Sequence, residues 1–216
     1  MPLRVVTAGE SHGPGLTCIV EGLPAGLELD LGAIDRDMAR RQLGHGRGGR
    51  MKIERDSAEI TSGVRHGRTL GGPIAVRVAN RDYANWEDRM NPWPVEAEVA
   101  EVHLPRPGHA DLAGVQKFGF SDVRNVLERA SARETAARVA VGAVARQLLR
   151  QVEAEIVSHV FCIGSASLPD PLAVTFADVR AIDATSALHC VDADAERTVP
   201  RPFARYLTRN AATTGR

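Results

Sequence analysis

Lysine is almost absent from this chain. Of its 27 basic residues only Lys52 and Lys117 are lysine, and the rest are arginine. Aromatic residues make up 4% of the sequence, too few for the stacking platforms of a protein that binds single-stranded nucleic acid. There are three cysteines, Cys18, Cys162 and Cys190, too few and too scattered for a disulfide framework or a zinc cluster. No apolar run approaches the ~18–20 residues of a membrane span. The opening Met1-Pro2-Leu3-Arg4 lacks the basic and then apolar pattern of a secretory leader. The default expectation is therefore a cytoplasmic protein with no membrane partner.

What is present is globular. Hydrophobic residues are 44% and charged residues 25%, which excludes a disordered or fibrous chain. At about 150 residues per domain, 216 residues make one large domain or two small ones. The net charge is zero but unevenly spread: residues 197–216 hold five arginines and no acid, so residues 1–196 carry a net −5. An acidic body with few aromatics argues against an RNA-binding module. Arginine instead suits planar, two-pronged recognition of phosphate or carboxylate.

Alternation predicts short strands at 4–7 and 16–21 around a Gly/Ser/His turn, and further strands at 57–64 and 73–79. Asp30 can cap a helix running to about Arg41, with Ile34 and Met38 on one face. Residues 80–98 are polar, hold both tryptophans, and read as a surface excursion. The clearest helix begins at Ser131, where Ser131-Ala132-Arg133-Glu134 has the capping-box pattern. Ala136, Ala140, Ala143, Val144 and Leu148 follow at helical spacing, and their small size predicts close packing. Residues 155–163 read as a strand and 175–182 as a short helix. After Glu196 the apolar period fails.

Four clusters could carry chemistry. Gly9-Glu10-Ser11-His12-Gly13 resembles a hydrolase nucleophile elbow, but only one strand precedes it and Pro14-Gly15 follows, where that motif needs a helix. What remains is a tight turn presenting a hydroxyl, an imidazole and a carboxylate. Arg40-Arg41-Gln42 with Gly44-His45-Gly46-Arg47-Gly48 combines free backbone N–H groups with guanidinium forks, a pattern for a small phosphorylated ligand. Arg106-Pro107-Gly108-His109-Ala110-Asp111 places a second imidazole on a turn, so His12 and His109 can act as paired acid and base. No third His, Cys or carboxylate stands at ligand spacing, and no metal is expected. Finally, Arg124, Arg129 and Arg133 crowd the start of the long helix. Three cations there are electrostatically wrong unless an anion binds or salt bridges offset them.

Together and in this order, these segments resemble chorismate synthase. The matching residues also include Glu21-Gly22-Leu23-Pro24-Ala25-Gly26, Ser62-Gly63-Val64-Arg65-His66-Gly67, and Arg124-Asn125 through Glu134-Thr135. The likeness runs from about Leu3 to about Asp194. It implies an α+β fold, a β-α-β sandwich incomplete at its C-terminus, from a family that forms homotetramers. It implies trans-1,4-elimination of phosphate from 5-enolpyruvylshikimate 3-phosphate to give chorismate, a lyase step of the shikimate pathway of aromatic amino acid biosynthesis. Reduced FMN is the implied cofactor, making the family flavoproteins, and some members reduce it with NADPH.

By position, His12 falls on the family histidine that protonates the departing phosphate, and His109 on the one that protonates the reduced flavin. Arg41 and Arg47 match positions for the phosphate-bearing ligand or NADPH, with Ser11 and Arg133 beside them. Arg129, Ala130 and Ser131 fall on a flavin-binding segment, where Ala130 replaces the family's usual serine. The family is considerably longer. Residues 1–196 read as its N-terminal portion, and 197–216 as an aberrant, disordered tail resembling a shifted reading frame. A truncated, inactive fragment with weak phosphate-ligand binding is the alternative reading.

Overall fold

The computed structural model describes residues 2–43, 56–164 and 166–198. The chain divides into two compact units, Met1–Met38 with Asp56–Val152, and Ala39–Arg55 with Glu153–Arg216.

The first unit is built on a four-stranded antiparallel sheet. β1 (Arg4–Ala8) and β2 (Gly15–Glu21) pair across the glycine turn. Helix α1 (Leu31–Arg41) follows, then β3 (Glu59–Ser62) and a small ribbon of β4 (Val64–Arg65) and β5 (Arg68–Thr69). β6 (Ile74–Ala79) completes the sheet, whose order is β1-β2-β6-β3. Alternation decides which face is inside. Leu16, Cys18 and Val20 of β2 stand opposite Val78, Val76 and Ile74 of β6, and all six are at most 1% exposed. Burying each large aliphatic side chain contributes about 1.5–3 kcal/mol.

Short helices α2 (Glu87–Met90), α3 (Asp111–Phe118) and α4 (Arg124–Leu127) lead to the long α5 (Glu134–Arg150). α5 contributes Ala136, Ala137, Ala140, Ala143 and Val144 to the same core as β2 and β6. The side chains are short, so the helix backbone can sit close to the sheet, as their spacing predicted. α1 adds Ile34 and Met38, both fully buried. Gln147 ties α1 to α5: its amide accepts from Asp30 N at 2.6 Å and donates to Asp30 O at 3.3 Å.

The second unit holds β7 (Cys162–Ile163) paired with β8 (Ala166–Ser167), then α6 (Phe176–Arg180) and α7 (Ala193–Thr198). Among the described residues no helix is long and apolar enough to cross a membrane.

Three local expectations need correction. The strand expected over 155–163 is ladder-paired only at Cys162–Ile163, because alternation without a neighbouring strand does not make a sheet. The long helix starts at Glu134 with no side-chain bond at its cap residue Arg133, but the expected hydroxyl contact forms just before it: Ser131 Oγ accepts from Arg133 N at 3.2 Å. Ser131 Oγ also donates to Ser11 Oγ at 3.0 Å, and Glu134 accepts from Thr7 and Arg138. Tertiary partners thus draw off only the Glu134 half of the local capping box, whereas Thr175 and Asp178 form a complete one on α6. The third correction, at Trp86, belongs to the site. The 197–216 tail lies outside the described residues from 199 onward.

Candidate active site

The turn between β1 and β2 is locked from three directions. Gly9 has φ +112°, and a Cβ there would lie 2.5 Å from Gly15 O. Buried Asn80, at the end of β6, donates to Gly13 O at 2.7 Å and Ser11 O at 3.4 Å, and its backbone N–H reaches Pro14 O at 3.1 Å. From below, the segment after α4 takes the other side: Ser11 N donates to Glu128 O at 2.9 Å.

Glu128 then holds His12 twice. Its carboxylate lies 2.8 and 3.0 Å from His12 Nδ1 and accepts from His12 N at 3.0 Å. Its side chain is 1% exposed. Arg124, one helical turn earlier, donates to it at 3.2 Å. Burial pushes the Glu128 carboxyl up, but the His12 side chain, the His12 N–H and the Arg124 charge outweigh it and hold it below the ordinary value.

Trp86 stacks on the His12 ring, centroids 3.8 Å apart and planes 26° off parallel. The excursion of residues 80–98 is thus only partly surface. Trp93 is 76% exposed as expected, while Trp86 folds back over the site. Its indole N–H donates to Asp82 at 3.1 Å, and Asp82 sits on a 3-10 turn capped by Asn80. The guanidinium groups of Arg89 and Arg124 lie 5.4 and 5.6 Å from the Trp86 ring.

His109 sits on the turn before α3. Arg106 and Asp111 brace that turn through three donors, Arg106 N, Nε and Nη2, at 2.8–2.9 Å. The Arg106 guanidinium holds the buried Asp111 carboxyl below its usual range against the opposing effect of burial. Arg106 Nη2 also approaches His109 Nδ1 at 3.2 Å and the carbonyls of Leu127 and Ala130 at 3.3 and 3.4 Å. His12 and the His109 turn are therefore both fastened to residues 127–130.

The three arginines near the helix start each find a protein partner. Arg124 takes Glu128; Arg133 takes Asp56 at 3.2 Å and Ala79 O at 3.1 Å. Arg129 donates to Thr7 O, Thr7 Oγ1 and Gly9 O at 2.9, 2.8 and 3.4 Å. Close carboxylates offset the charge of Arg124 and Arg133, whereas the close partners of Arg129 are neutral oxygens and its nearest carboxylate, Glu134, stands 4.0 Å away. Arg129 still keeps two N–H groups, and Arg124 Nε is buried with no partner among the described residues. Arg41 closes α1 and falls in the second unit; Arg47 lies outside the described residues. No cluster of three or more His, Cys, Asp or Glu among the described residues could hold a metal.

Sequence reasoning passed over Glu128, Trp86, Asn80 and the Arg106–Asp111 brace. Only the Arg124–Glu128 spacing, one helical turn, carried a local signal for any of them.

The chorismate synthase family model matches residues 3–214. The chain is 54% identical over 196 residues to the chorismate synthase of Alkaliphilus metalliredigens, covering 91% of this chain and 51% of that protein. It is 64% identical over 167 residues to that of Rubrobacter xylanophilus, covering 77% and 43%. A crystal structure of chorismate synthase superposes with a TM-score of 0.70 at 37% identity, over 97% of this chain and 54% of that one. The chain spans about half the length of the curated relatives it matches.

Proposed function

The chain belongs to the chorismate synthase family, and from that premise we propose that it carries the proton-transferring part of a site converting 5-enolpyruvylshikimate 3-phosphate to chorismate. The observation that carries this is the His12 turn: an imidazole, clamped by a buried carboxylate, beside the Ser11–Ser131 hydroxyl pair. In the trans-1,4-elimination, C–O cleavage releases phosphate and a ring C–H gives up its proton. His12 delivers a proton to the departing phosphate oxygen. General acid catalysis of this kind contributes about 10²–10⁴-fold.

The donor set fits a phosphate-bearing planar cofactor. Arg129 retains two guanidinium N–H groups, the Ser131 oxygen, whose hydrogen goes to Ser11 Oγ, remains an acceptor, and Arg124 Nε is a buried donor with no partner among the described residues. Arg129, Ala130 and Ser131 would hold FMN. When bound there, reduced FMN would supply electron density to stabilise the charge that develops as phosphate leaves. His109 holds a proton on the side of that segment, and Arg41 and Arg47 bind the phosphate-bearing ligand or NADPH. A full-length protein of this family would work as a cytoplasmic homotetramer.

The test uses the purified chain. Substrate is titrated calorimetrically into wild type and His12→Asn, and chorismate is followed by absorbance with reduced FMN under anaerobic conditions. Binding by wild type, with chorismate formation lost at least 100-fold in His12→Asn, supports the reading. Binding without turnover marks the chain as a ligand-binding portion whose remaining flavin contacts come from further residues. No binding and no chorismate overturns it.

A further inference from the structure

The geometry points to Glu128 as the positioning residue for His12: it fixes the imidazole in the Nδ1–H tautomer, so that Nε2 alone exchanges the proton. Residue roles within the elimination rest on the reading above; the tautomer assignment does not.

A carboxylate oxygen only accepts, and both Glu128 oxygens lie within 3.0 Å of His12 Nδ1, so Nδ1 must carry the hydrogen. The carboxylate is ionised, being held below its ordinary range by the very groups that face it. Rotation of the ring is blocked as well. Trp86 covers one face at 3.8 Å, and the His12 backbone is itself bonded to Glu128 Oε2. Nε2 has no hydrogen-bond partner among the described residues.

The charged groups around the pair are few. Arg124 approaches from α4 and neutralises Glu128, and Arg89 stands over Trp86, not over the imidazole. Ser11 and Ser131 contribute only hydroxyls. Arg124, Glu128, His12 and Trp86 thus close a ring of contacts in which each member restrains the next. A surface ion pair would leave the imidazole free to turn; this one does not.

The proton balance follows. Imidazolium gives its Nε2 proton to a phosphate oxygen and becomes neutral imidazole, with Nδ1–H still on Glu128. No proton passes to Glu128, which remains a carboxylate throughout. In its absence a neutral histidine favours the Nε2–H form, which leaves Nδ1 as the basic atom, facing the wrong way.

The experiment is two-bond proton–nitrogen correlation on the full chain with ¹⁵N-labelled histidine, at a pH where His12 is neutral. Wild type should show Nδ1 protonated and Nε2 bare. Glu128→Gln, isosteric and uncharged, should shift the population toward Nε2–H, while Trp86→Leu should keep Nδ1–H. An Nε2–H signal in wild type, or an unchanged Nδ1–H in Glu128→Gln, overturns the proposal. The wild-type spectrum decides alone if the variant fails to fold. Where turnover is measured, kcat should fall about 10²–10⁴-fold in Glu128→Gln with KM unchanged; a rise in KM alone would refute positioning. An intact tautomer without any chorismate would count against the family reaction and leave Glu128 in place.

Discussion

Gly9 offers a direct way to test how the His12 turn is held. Two costs coincide there when alanine is introduced. The backbone sits at φ +112°, outside the narrow left-handed well that L-residues tolerate, which costs about 1–3 kcal/mol. The new methyl would also meet Gly15 O at 2.5 Å and Leu16 Cα at 2.9 Å. Both are backbone atoms of β2, so relief requires moving a strand, an overpacking cost of about 1–3 kcal/mol. Gly9→Ala should therefore lose ~2–6 kcal/mol, a large part of the ~5–15 kcal/mol that holds a domain. Gly26→Ala is the matched control: its φ is +81°, but nothing lies within 4 Å of the added methyl. It should lose only the conformational part, about 1–2 kcal/mol. Urea denaturation of both variants gives the difference, and thermal melts should separate them by roughly 2–4 °C per kcal/mol. If Gly9→Ala is no less stable than Gly26→Ala, the close approach of the turn to β2 is wrong.

Acid sensitivity should have a component at Asp111, beside those of Glu128 and Glu134. Its folded pKa lies below the unfolded value of about 3.9, so its stabilisation is complete above that value and lost as pH falls through the folded one. Asp111→Asn should cost about 1–3 kcal/mol near neutral pH and flatten the stability profile below about pH 4; an unchanged acid limb would show that the Arg106 brace is not formed. Cys18 should resist alkylation. Burial raises its thiol to about 11 and leaves it 1% exposed. At about pH 8 exposed Cys162 should label first and Cys18 only on unfolding, and peptide mapping showing equal native rates would contradict the core assignment.

The parts of the fold legible in the sequence are those in which one residue's neighbours settle its place. Leu16, Cys18 and Val20 alternate with Thr17 and Ile19, and β2 follows. Ile34 and Met38 stand one turn apart, and α1 follows. The His12 and His109 turns were legible because glycine and proline mark them. Glu128 was hidden because an acid among arginines reads as an exposed ion pair. Its burial comes from the β1–β2 turn closing on it, a contact across 116 positions. Trp86 was hidden for the same reason: residues 80–98 are polar enough to be surface, and only Asn80, locked to the turn, aims them back. The partners of Arg129 and Arg133, on Thr7 and Asp56, are equally remote.

The break between α4 and α5 shows how that remote pairing makes the site. Glu128-Arg129-Ala130-Ser131-Ala132-Arg133 contains no glycine or proline, and Arg133 keeps helical angles of −64° and −29°. Local propensity would run the helix straight through, which is why a start at Ser131 looked natural. A continuous helix would consume the carbonyls of Leu127, Glu128 and Ala130 in bonds to the N–H groups four residues on. Here those carbonyls are open. Ser11 N takes that of Glu128, and Arg106 takes those of Leu127 and Ala130. Glu134 N turns instead to Ser131 O, tightening the last turn before α5. The interruption is thus maintained by the elements that carry the two histidines. It in turn gives both turns fixed acceptors on one short segment, of which Glu128 is buried, so neither histidine depends on a flexible loop for its position.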